Sequence, residues 1–135
     1  MTNWFFFSLL CLISWGLWGF LSKLATNYLD FRSIFIYSVA GSMMVGLLTF
    51  LLGHTPGVHQ RGTSLGILAG MLGSLGAIFF FSALSKGKAS VVVTMTALYP
   101  IITILLSSII LREQITLKQS VGMLFALLAI ILFSI

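Results

Sequence analysis

The chain has 135 residues, 59% of them hydrophobic, with seven basic and two acidic side chains, a net charge of +5 and a mean hydropathy of +1.17. A soluble domain could not cover that much apolar surface with so few charges, which excludes an ordinary globular enzyme or binding module. The basic excess borders apolar runs and forms no contiguous basic face, so it fits lipid headgroups and excludes a nucleic-acid partner.

A helix crosses a bilayer with about 20 mainly apolar residues. Five stretches qualify: about 4–24, 33–52, 64–85, 89–111 and 117–135. The first has no basic segment before it and no small-residue cleavage site behind it, so it reads as a retained helix. Its single Cys11 is a packing residue by type. Taking Trp15 as zero and turning 100° per residue puts Trp4, Ser8, Cys11, Trp18, Gly19, Ser22 and Thr26 within about 60° of it. The opposite side is Leu, Ile and Phe. Trp15 lies about 16 Å along the axis from Trp4, too deep in a roughly 30 Å core for both to be interfacial anchors. Lys23, at the end of this run, either snorkels to the interface or meets an anionic solute group.

Span two carries Ser38, Ser42 and Gly46 at every fourth position, and span three carries Gly62, Gly66, Gly70 and Ser74. Small residues at that spacing let helices approach in lipid, so Gly66, Gly70 and Ser74 are expected to pack helices, as are Gly122 and Ala126 in span five. Between spans two and three, "GHTPGVHQRG" places Pro56 and Gly57 in a turn. His54 and His59 share that loop with no cysteine or carboxylate beside them, and no metal site is expected.

Span four, "ASVVVTMTALYPIITILLSSIIL", sets Ala89, Thr96, Tyr99, Pro100, Thr103 and Ser107 on one side. Pro100 removes a backbone donor and is expected to bend this helix near its middle. The two polar stripes predict a cavity lined by Trp15, Trp18, Gly19, Ser22 and Lys23 from span one and by Thr96, Tyr99, Pro100 and Thr103 from span four. Thr116 and Gln119 fit a capping box that opens span five.

No nucleophile, base and carboxylate set, phosphate loop or cofactor motif is present, so neither catalysis nor a cofactor is expected. Asp30 and Glu113 lie at helix ends, which leaves no mid-membrane carboxylate for proton coupling and favours neutral, zwitterionic or anionic solutes. Loop charge is nearly balanced: Arg61, Arg112 and Lys118 on one side of the membrane, Lys23, Arg32, Lys86 and Lys88 on the other. That balance predicts either orientation by a partner or by the fold itself, or insertion in both directions as a self-inverted pair.

"WGLWGFLSKLA", Arg32 at the start of span two, and "ALYPIITILLSSIILREQITLKQSVGMLFALLAIILFS" together resemble the EamA-type domain of the drug/metabolite transporter superfamily. The spaced set Pro100, Glu113 and Gly122 is the most specific part. Ala129 departs from the pattern, because a glycine often closes the last helix there. The resemblance implies one all-α membrane domain over residues 1–135, the five-helix half of an inverted-repeat ten-helix transporter, in the cell inner (plasma) membrane. It implies export of small metabolites by alternating access, with an antiparallel homodimer supplying both halves. The related small multidrug resistance family relies on a first-helix glutamate that this sequence lacks. Two alternatives stand beside this reading: a flippase for a lipid-linked or polyprenyl-phosphate substrate, and a non-transporting membrane subunit.

Overall fold

The computed structural model describes residues 4–53 and 56–134. His54 and Ile135, which the sequence reading places in a loop and at the end of span five, lie outside the described residues. Every regular element among the described residues is a helix. The chain divides into two compact units, residues 1–86 and 87–135.

The first unit holds α1 (Trp4–Ala25), α2 (Phe31–Leu51) and α3 (Gln60–Lys86). Short connections make neighbours antiparallel, and α1 and α2 both pack against α3. After α1 the Tyr28 and Leu29 amides bond to the Ala25 carbonyl, each at 3.0 Å, which turns the chain. Asp30 then caps α2: its Oδ2 accepts from the Arg32 amide at 3.0 Å and the Ser33 amide at 3.4 Å, and its Oδ1 accepts from the Ser33 hydroxyl. At the far end Gly53 follows α2 with φ +86, the left-handed conformation that glycine adopts without a Cβ penalty. His59 opens α3 by accepting the Gly62 amide on Nδ1 at 3.2 Å, so it serves as a cap.

The core of this unit is small. Phe81 and Leu84 of α3 are fully buried, and Ile34 of α2 joins them. Apart from the half-buried Phe31 and Phe35, the other large apolar side chains of α1 and α2 are largely exposed, as expected where hydrocarbon replaces water as solvent.

The second unit holds α4 (Ala89–Thr96), α5 (Tyr99–Ile110) and α6 (Leu117–Ser134), with α4 packed against α6. Pro100 was expected to bend span four; the span is interrupted instead. Ala97 and Leu98 end one helix and begin the next, and the Ile101 amide bonds to the Leu98 carbonyl at 2.9 Å, an i to i−3 bond of tighter pitch. The break precedes the proline because Pro100 then sits in the first turn of α5, where a missing N–H is tolerated. The capping box at α6 is present: the Thr116 amide donates to Gln119 Oε1 at 2.8 Å and the Gln119 amide to Thr116 Oγ1 at 3.3 Å.

Among the described residues four stretches are long and apolar enough to cross a membrane: α1, α2, α3 and the interrupted Ala89–Ile110. The fifth expected span corresponds to α6, an apolar helix described over Leu117–Ser134.

Candidate functional site

The first unit carries an open groove of about 230 Å³. From α1 come Trp18, Leu21, Ser22 and Ala25. Ile34, Tyr37 and Ser38 of α2 form the facing wall, and Leu29 of the turn and Phe81 of α3 complete the lining. The α1–α2 turn sets this register: Trp18 lies seven residues before the end of α1 and Tyr37 seven after the Asp30 cap, so both sit about two helical turns from that connection. No lining residue is charged.

Trp18 is held in an aromatic cluster. Its indole stacks on Phe80 with ring centroids 5.0 Å apart and planes 15° apart, and tilts against Phe81 at 5.5 Å. One neighbour along the α1 stripe, Gly19, is buried, and another, Ser22, is 6% exposed. The Ser22 hydroxyl donates to the Trp18 carbonyl at 2.6 Å, so its polarity is satisfied within its own helix. Lys23 reaches across to α3 and donates from Nζ to the Leu84 carbonyl at 2.7 Å. The negative end of α3 lies there, which favours a cation. Trp15, by contrast, is 58% exposed and does not line the groove.

In the second unit the predicted residues gather at the helix break. Thr96 ends α4 with its hydroxyl on the Val92 and Val93 carbonyls, at 2.9 and 3.0 Å, while Tyr99 and Pro100 open α5. Thr103 donates to the Tyr99 carbonyl at 3.4 Å and lines a separate shallow groove of about 300 Å³ with Leu106, Ser107, Ile110 and Leu111.

A Cβ placed on Gly66, Gly70 or Gly122 would meet nothing within 4 Å, and Ser74 and Ala126 are exposed. Among the described residues no three His, Cys, Asp or Glu side chains come together as metal ligands.

Residues 2–135 match the EamA-like transporter family over the whole length of the chain. The protein belongs to that family. It is therefore a multi-pass membrane protein of the drug/metabolite transporter type, whose domain this is. An uncharacterized protein of Methanocaldococcus jannaschii is 28% identical to it over 127 residues, covering 94% of this chain and 93% of that protein. No solved structure matches.

Sequence reasoning missed Ile34, Tyr37, Phe80 and Phe81 around Trp18. Hydrophobic periodicity separates the faces of one helix but does not pair them with another. Counting depth from the α1–α2 turn would have brought Tyr37 level with Trp18.

Proposed function

We propose that this EamA-family chain exports or facilitates the movement of small metabolites, amino-acid-like or other neutral, zwitterionic or anionic solutes, across the inner (plasma) membrane. The observation that carries the reading is the interruption of span four at Ala97–Leu98. Ala97 and Leu98 keep right-handed φ and ψ, but the ordinary bond ladder is interrupted between them. Interrupted helices are tolerated at membrane depth where protein or a watered cavity satisfies the freed backbone, and they line the midplane sites of transporters. Thr96, Tyr99, Pro100 and Thr103 sit at that break and, with Trp15, Trp18, Gly19, Ser22 and Lys23, form the proposed path.

An antiparallel homodimer supplies the second half of an inverted repeat, and the near balance of loop charge supports it. Gly66, Gly70, Ser74, Gly122 and Ala126 would then pack against the second copy, since their faces are open within each unit. Rocking of those small-residue seams gives alternating access.

Purified protein reconstituted into liposomes loaded with labelled amino acids tests this. Solute should leave faster than from protein-free liposomes loaded in the same way, and Trp15→Leu and Tyr99→Leu should each slow it at unchanged helical content. Efflux equal to that of protein-free liposomes across a solute panel rejects transport. Efflux indifferent to both substitutions removes Trp15 and Tyr99 from the path. Reporter fusions at the C-terminus that signal from one side only would exclude the self-inverted pair.

A further inference from the structure

Three cations cluster at one end of the first unit: Lys23 in the last turn of α1, Arg32 in the first turn of α2 and Lys86 at the end of α3. The groove opens in the same half of the unit, because it uses the last turns of α1, the first turns of α2 and Phe81 of α3. The one acid at this end, Asp30, has its carboxylate engaged by the Ser33 hydroxyl and by the Arg32 and Ser33 amides. Lys23 is bonded to the Leu84 carbonyl, while Arg32 and Lys86 are exposed.

A polar solute gains little from this groove until a second copy completes the path proposed above. Its walls are aromatic and aliphatic, and the buried Ser22 hydroxyl is already bonded to its own helix. Burying a polar group there without a partner would cost free energy. A segment of hydrocarbon chain suits its apolar walls, and the cations at the same end of the unit complement an anionic head. We propose that the groove of the first unit binds one acyl chain of an anionic phospholipid from the surrounding leaflet, with its phosphate headgroup against Arg32 and Lys86. This site stands on the geometry of one unit and does not depend on transport activity.

Trp18 is the built-in probe, since it lines the groove and is 39% exposed. A Trp4→Phe, Trp15→Phe variant leaves Trp18 as the only tryptophan. It is placed in bilayers of phosphatidylcholine doped with either phosphatidylglycerol or phosphatidylcholine carrying brominated acyl chains, which quench indole fluorescence on contact. Brominated phosphatidylglycerol should quench at several-fold lower mole fraction, since each juxtamembrane cation favours an anionic lipid by roughly five-fold. Arg32→Gln with Lys86→Gln should erase that preference and leave quenching by phosphatidylcholine unchanged. Ser38→Phe, or the milder Ala25→Leu, should reduce quenching by both lipids.

Equal quenching by the two lipids in the unsubstituted groove overturns the proposal, because it describes indifferent bilayer contact. So does an absence of quenching by either, which would mean that another protein surface covers Trp18. Full quenching retained in both groove-filling variants would place the chain elsewhere.

Discussion

The Trp18 indole lies nearly parallel to the Phe80 ring, with centroids 5.0 Å and planes 15° apart, and this stack joins α1 to α3. Lipid supplies no hydrophobic drive between helices, so packing of this kind holds them together. An aromatic pair contributes about 0.5–1.5 kcal/mol beyond its buried area. Trp18→Leu should therefore destabilise the chain by about 1–2 kcal/mol. Trp15→Leu, on an exposed face, should change stability by less than about 0.5 kcal/mol. Unfolding in detergent compares the two, and equal stability of both variants would show that the stack contributes nothing.

Lys23 makes the second link between the same helices, through the Leu84 carbonyl. A hydrogen bond from a charged donor contributes about 1.5–3 kcal/mol, less where water reaches the pair. Lys23→Met keeps the apolar stem and removes the donor, so it should cost about 1–2 kcal/mol of stability. Thermal unfolding in detergent reads this, with Lys23→Arg restoring part of the loss. A Lys23→Met protein as stable as the unsubstituted chain would show that the lysine does no more than snorkel.

The helices were legible because spans and breaks are written locally: hydropathy marks the runs, and the Thr116–Gln119 pair marks an N-terminus by spacing alone. Pro100 announced a disturbance in span four but not its form. Whether a helix bends or parts depends on how the freed backbone is satisfied, and here the i to i−3 bond of Ile101 favours parting. In the groove, the α1 stripe gave Trp18 and Ser22. Tyr37 and Phe81 face them through tertiary packing that no single-helix period encodes. Lys23 looked like a solute ligand or an interfacial anchor, and its carbonyl partner lies 61 residues away.

Stability at low pH should show the Asp30 cap. The Ser33 hydroxyl is the chief reason the Asp30 carboxyl lies below its ordinary value of 3.8; desolvation opposes it as the next effect, and the Arg32, Ser33 and Asp30 amides add to the lowering. A folded value below the unfolded one gives a contribution fully present above the unfolded value. It is lost as pH falls through the folded one. Helical content followed from pH 5 to pH 2 should fall more steeply for the unsubstituted protein than for Asp30→Asn, which caps without titrating. Superimposable curves would remove Asp30 from the acid response.

Restoring a donor at the break tests whether it is used. Pro100→Ala supplies an N–H four residues after the Thr96 carbonyl, in register for an ordinary helical bond. Alanine also removes the ring that clashes with that carbonyl, and together these effects are worth about 3 kcal/mol in a helix interior. The gain here should be smaller, since Pro100 already occupies the tolerated first turn of α5. The expected product is one continuous helix over residues 89–110, with slower amide exchange across residues 97–100 and stability equal to or above that of the unsubstituted chain. If the interruption serves passage of solute, liposome efflux should fall by at least ten-fold in this better-formed helix, a barrier increase of about 1.4 kcal/mol. Unchanged efflux alongside the slowed exchange would mean that the break is a packing accommodation and not part of the path.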